Sequence, residues 1–182
     1  MKSPLRPATD LLKQYAEYHR DPRNIATHFI GVPMIVFAVG VLLARAGIEI
    51  GGVGLTAAWL LFGLAAAWYL TRGQLALGAA TTLGVGVLIA LSHTVAGGSV
   101  VHWLGWGLGF FAVGWTLQFI GHYYEGRKPA FADDLIGLLV GPMFVMFEAL
   151  AALGLFRALS AEIEGHAGPT RLRDLAQPLN AR

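Results

Sequence analysis

The sequence predicts an all-α fold, a polytopic transmembrane helical bundle of about four to six membrane segments with a surface N-terminal amphipathic helix and either a kinked span or a re-entrant hairpin near Pro142. Three observations carry this prediction. Hydrophobic residues make up 55% of the 182 positions and charged residues 13%, too few charges to cover a water-soluble surface around so much apolar material. Apolar runs of roughly 16 to 20 residues, close to the length that crosses a bilayer as helix, recur between short polar breaks. The ionisable residues gather at the ends of those runs. This length accommodates one transmembrane domain, 1–160, followed by a charged tail, 161–182.

The elements follow in order. From Asp10 to His19, Leu11, Leu12, Tyr15 and Tyr18 recur near helical spacing, with Thr9 or Asp10 as N-cap, which predicts a short helix lying on the membrane surface. Asp21-Pro22 breaks it, because a residue before proline avoids the α region, and Asn24 is placed to cap the next helix. Apolar spans are expected over Phe29–Ala44, Val53–Leu70, Leu75–Leu91 and Val101–Ile120. The tight turn Thr71-Arg72-Gly73 sets the second and third antiparallel, and Gly97-Gly98-Ser99 separates the third from the fourth. A polar loop from Tyr123 to Asp134 precedes a last apolar stretch, Leu135–Phe156, with Gly141-Pro142 near its middle. That pair predicts either a kinked span or two half-helices. Glycines at 105, 109 and 114 are expected to let helices approach closely, which also permits a homo-oligomer.

Composition excludes several chemistries. Cysteine is absent, so thiolate metal sites, disulfides and cysteine nucleophiles are out of reach. A net charge of +2 with scattered Lys and Arg argues against nucleic acid as a partner. No signal peptide is expected, since the first apolar run begins only near His28. Lys2, Arg6, Lys13, Arg20, Arg23, Arg72, Arg127 and Lys128 fall on one side of the expected topology and Arg45 on the other. The positive-inside rule then puts the N-terminus in the cytoplasm.

Of six histidines, three share a membrane face by parity. His19 and His28 precede the first span, and four crossings return His122 to the same side; His93 and His102 flank the Gly97–Ser99 loop opposite, and His166 lies in the tail. Gln118 and His122 are one helical turn apart, with Glu125 on nearly that face. Each histidine alone reads most simply as an interfacial group with one end wet. Three on one face, with Asn24, Gln118 and Glu125 beside them, make a metal site an equal alternative, because imidazole is a common ligand and a site with open positions binds iron.

At these two stretches the chain resembles a known family. Tyr18-His19, Asn24, His28, Gly31 and Pro33, then Gln118-Phe119-Ile120-Gly121-His122, Glu125 and Pro129-Ala130, are similar to the membrane 2-hydroxy fatty acid dioxygenases. The likeness runs over nearly the whole chain, through Met146-Phe147-Glu148, and stops before the tail. It implies an iron(II) enzyme of fatty-acid α-oxidation that uses dioxygen to shorten a 2-hydroxy fatty acid by one carbon. It also implies that the metal ligands are His19, His28 and His122, on the cytoplasmic face of an inner membrane in a bacterium or of the endoplasmic reticulum in a eukaryote. Glu125 departs from the family spacing by one residue and is carried as a candidate catalytic group.

On that reading Asn24, Gln118 and Tyr18 orient imidazoles through their second nitrogens. Arg20, Arg23, Arg127 and Lys128 are the candidate partners of the substrate carboxylate, and the acyl chain lies among the spans in membrane lipid. The rival from another class is a polytopic transporter or ion-pathway protein without redox chemistry, for which the break at Gly141-Pro142 is the single sequence hint.

Overall fold

The computed structural model describes residues 5–129 and 135–176, apart from the side chains of Ile50 and Val53. Lys2, Ala130 with the 130–134 part of the polar loop, and Pro178 lie outside the described residues. Among the described residues, seven helices and one hairpin follow in chain order: α1 Ala8–Ala16, α2 Pro22–Leu43, β1 Gly47–Ile50, β2 Val53–Thr56, α3 Ala57–Leu70, α4 Leu75–Val95, α5 Val100–Glu125, α6 Gly137–Ala152 and α7 Arg157–Ala167. The bundle is helical as expected. Among the described residues, α2, α4 and α5 are long and apolar enough to cross a membrane, and a fourth span is possible if the bent pair α6 and α7 counts as one.

The amphipathic helix α1 forms, but protein covers its apolar face. Leu11, Leu12, Tyr15 and Ala16 are buried against α6 and α7, which fold back over it. Complete burial of a side chain such as Leu12 stabilises by about 2 kcal/mol. With Pro7 at the N-cap and no side-chain cap, the free amide of Ala8 donates instead to Arg72 O at 2.8 Å. That bond brings the turn between α3 and α4 to the same end of the bundle as α1.

Helix α2 begins earlier than Asn24. Asp21 is its cap, accepting from Arg23 N at 2.9 Å, and Pro22 takes the first helical position, where its missing N–H costs nothing. The main packing surface is α2 against α5. A Cβ on Gly31 would lie 2.8 Å from Gly114 O, and one on Gly114 would lie 3.0 Å from Gly31 O, so the two backbones touch where both side chains are missing. Gly105 and Gly109 do not serve this purpose: a Cβ on either would meet nothing within 4 Å.

Two further expectations need correction. The span expected from Val53 starts only at Ala57, because Gly47–Ile50 and Val53–Thr56 pair as an antiparallel hairpin. Its two-residue turn, Gly51-Gly52, has φ of +59° and +81°, the left-handed backbone that such turns require. The remaining 14-residue α3 is about 21 Å long, short of a bilayer core. The break expected at Gly141-Pro142 is also displaced, since α6 runs through Pro142 and bends away by 117° only after Ala152. There, Leu155 N bonds Leu150 O and Gly154 N bonds Ala151 O, with Gly154 at φ +81°, a glycine stop that satisfies the last carbonyls.

The tail boundary drawn after Ser160 falls inside α7. Leu159 and Ile163 are buried, and Lys13 and Glu162 pair across α1 and α7.

Candidate metal centre

Three helix ends and one loop assemble the histidines. His19 sits in the link between α1 and α2, held by its own amide on Ala16 O at 3.0 Å. His28 is in the second turn of α2 and His122 in the last turn of α5. All three are buried, at 0%, 1% and 6% exposure, and each offers a ligand atom within 4.8 Å of the others.

Their protonation follows from their partners. His19 Nδ1 lies 2.7 Å from Tyr15 O and His28 Nδ1 lies 2.9 Å from Asn24 O. A carbonyl only accepts, so both Nδ1 atoms carry the hydrogen and donate. Burial, then the neighbouring His28 and His122, pushes His19 well below the ordinary imidazole value, so its ring is neutral and its Nε2 bare. That Nε2 faces His28 Nε2 at 3.0 Å. Two lone pairs aimed at each other in a buried site repel unless a cation lies beside both. His122 Nδ1 is likewise buried and has no hydrogen-bond partner. This donor set, neutral imidazoles with nitrogens facing inward, fits a divalent transition metal.

Around the rings, the side chains divide by what they touch. Tyr15 stacks on His19 with centroids 4.0 Å apart and planes 3° from parallel, fixing the ring orientation; burial pushes the Tyr15 phenol up, so it keeps its proton. Glu125 accepts from Arg20 N at 3.0 Å, Asp21 N at 2.8 Å and Asn24 Nδ2 at 3.1 Å. Its carboxylate therefore grips the backbone of the loop that carries His19. Asn24 acts on an imidazole through its main-chain oxygen, while its amide bonds Tyr18 O at 3.0 Å. Tyr18 contributes that carbonyl, and its ring lies under Arg127 at 5.8 Å. Gln118 bonds no imidazole; its Nε2 is buried without a partner.

The four cations have other engagements. Arg20 is buried and donates to Ala16 O and His19 O, with Glu148 Oε1 3.4 Å from its Nη2. Arg23 forks onto Asp21 at 3.0 and 2.7 Å and reaches Arg173 O at 2.9 Å. Arg127 donates to Glu17 O, and Lys128 is exposed. None of the four lines the cavity beside the histidines. That cavity, about 70 Å³, lies between α2, α5 and α6 and is lined by His28, His122, Gln118 and Tyr15 together with apolar groups such as Val32, Ile35 and Pro142.

Far from this cluster, His93 bonds Thr56 Oγ1 at 3.0 Å and stacks on Trp59. His102 sits at the start of α5, exposed beside Gly98, and His166 pairs with Glu17 at 2.8 Å.

Three contributors were not visible beforehand. The tail segment after α7 runs along the His19 loop, with Arg171 N on Arg20 O at 2.9 Å and Arg173 N on Asp21 Oδ2 at 2.8 Å. Asp21 before Pro22 breaks one helix and also caps the next, a signal that Asp before Pro carries in the sequence. For the pairing of Arg20 with Glu148, no local signal exists.

No solved structure matches the chain. The chain is 36% identical over 154 residues to the 2-hydroxy-palmitic acid dioxygenase MPO1 of Saccharomyces cerevisiae, covering 82% of this chain and 83% of that protein. The family described as 2-hydroxy-palmitic acid dioxygenase Mpo1-like matches residues 5–153, a stretch that includes all three clustered histidines, and the chain belongs to that family.

Proposed function

We propose that the protein is an iron(II)-dependent dioxygenase that shortens 2-hydroxy fatty acids by one carbon, with His19, His28 and His122 as the metal ligands. The observation that carries this is the pair of bare Nε2 atoms 3.0 Å apart beside a third buried imidazole. Membership of the family and the printed name of the yeast relative supply the substrate class.

Iron(II) held there supplies the activation of dioxygen and a chelating anchor for the 2-hydroxy carboxylate. The chain does the rest. Tyr15 O and Asn24 O hold two rings in the tautomer that leaves Nε2 free. Glu125 keeps the His19 loop closed over the end of the bundle. The apolar wall from Val32 to Pro142 accommodates the start of an acyl chain and excludes water. One 2-hydroxy acid and one dioxygen balance with the acid one carbon shorter, carbon dioxide and water, so no separate reductant has to bind. The site lies at the end of the bundle that carries Arg20, Arg23, Arg72 and Arg127, which the positive-inside bias assigns to the cytoplasm. The transporter reading loses its motive, because the Gly141-Pro142 break lies inside a continuous α6.

Purified protein loaded anaerobically with iron(II) and then given air should convert 2-hydroxypalmitate to pentadecanoate with matching consumption of oxygen. Solute uptake into liposomes with no oxygen consumption and no chain shortening would overturn the proposal.

A further inference from the structure

The buried carboxamide of Gln118 has no task in holding the metal ligands. The Nδ1 atoms of His19 and His28 are taken by main-chain carbonyls, and His122 Nδ1 has no partner. Gln118 is 5% exposed, and its Nε2 makes no hydrogen bond, an arrangement that is costly unless something else completes it. The fold makes room for this amide. A Cβ on Gly31 would lie 2.2 Å from Gln118 Nε2, so any side chain at 31 would displace it. It lines the cavity together with His28 and His122.

We propose that Gln118 is the specificity-determining residue that reads the 2-hydroxyl of the substrate. This rests on the dioxygenase reading above and names the contact that would select its substrate class. No Arg or Lys is among the described residues lining the cavity, and most of its wall is apolar. A polar head entering there meets few polar side chains besides the imidazoles. A carboxamide offers a donor and an acceptor in one plane, and a secondary hydroxyl needs one of each. A carboxylate, which only accepts, leaves the amide oxygen unmet. A site built to pair a hydroxyl rejects the analogue that lacks it, since its own buried groups are then left unpaired.

The test is equilibrium binding under nitrogen, so that no turnover occurs, by displacement of radiolabelled 2-hydroxypalmitate with unlabelled 2-hydroxypalmitate or palmitate. The two acids enter detergent micelles alike, and their ratio reports the protein. Wild type should prefer the 2-hydroxy acid. In Gln118→Met, which keeps the volume and removes the amide, that preference should fall about tenfold, the scale of one hydrogen bond, through weaker binding of the 2-hydroxy acid alone. Metal content should stay at the wild-type level. If the methionine variant does not fold, Gln118→Asn keeps an amide but withdraws it by one methylene, and the same loss is expected. An unchanged preference, an equal loss for both acids, or loss of the metal would overturn the assignment. A wild-type protein that binds palmitate as well as 2-hydroxypalmitate would instead overturn the dioxygenase reading on which it rests.

Discussion

His19 Nε2 and His28 Nε2 face each other across 3.0 Å with both ring hydrogens already committed to main-chain carbonyls on the far sides. On the reading proposed above a cation completes the pair, and each ring then depends on the other through it. His19→Ala, His28→Ala and His122→Ala should each reduce bound metal from about one ion per chain, and should weaken affinity by more than the roughly 10- to 100-fold typical of losing an outer partner. Elemental analysis of protein purified after iron loading measures this. Full occupancy in all three variants would remove the histidines from consideration as ligands.

Glu125 is expected to act on position and not on chemistry. Its carboxylate accepts from two main-chain amides of the His19 loop and from Asn24, and Glu125→Ala leaves those donors unpaired. Unfolding free energy should fall by about 2 kcal/mol, with metal affinity falling alongside. Glu125→Gln, which keeps one accepting oxygen, should fall between. A Glu125→Ala protein with native melting temperature and metal affinity but no turnover would assign the residue a direct chemical role instead.

Close packing at Gly31 and its absence at Gly105 give a matched pair. Gly31→Ala forces a methyl against Gln118 Nε2 and Gly114 O and should destabilise by about 1–3 kcal/mol. Gly105→Ala meets nothing and should be neutral or stabilising by up to about 1 kcal/mol through helix propensity. Thermal melts in detergent compare the two; equal effects would mean that α2 and α5 do not cross where described.

The readable and unreadable parts of this chain separate by range. Parity of the apolar runs groups His28 with His122 and sends His93 away, because each run of apolar residues fixes which end of the bundle its neighbours occupy. The hairpin at Gly51-Gly52 is hard to read because Ile48, Ile50, Val53 and Leu55 look alike as span or strand, and the turn glycines are what distinguish them. In the last apolar stretch Gly141-Pro142 is the stronger break signal by composition, yet α6 continues through it and the left-handed backbone of Gly154 is the stop. Arg20 could be assigned a side of the bundle and the tail a charged composition, but neither could be assigned a partner. A charged residue announces its sign to a reader of sequence, but its partners Glu148 and Gly168 lie more than a hundred positions away and are chosen by packing.

Asp21 gives the molecule an acid-sensitive joint. Burial alone would raise its pKa, but hydrogen bonds from Arg23 and from Arg173 N outweigh that and hold the carboxyl below its ordinary value. A depressed folded value means that the contribution is present above the unfolded value of about 3.9 and is lost as pH falls through the lower folded one. Asp21→Asn keeps a capping oxygen but loses the charge and one of the two oxygens that accept from Arg23 and Arg173 N; it should therefore cost about 1 kcal/mol at neutral pH and should flatten the loss of stability below about pH 4. Identical acid limbs in the two proteins would contradict this.

The segment after α7 that lies along the His19 loop has a bearing on the order in which the cluster forms. His19 precedes every distant group that fastens its loop: Glu125, then Glu148 and Gly168 through Arg20, then the amides of Arg171 and Arg173. All of these lie more than a hundred positions further along, so the loop is fully fastened only once residue 173 has emerged and docked. Closure of the histidine cluster is therefore a late event of folding, governed by contacts of long sequence separation.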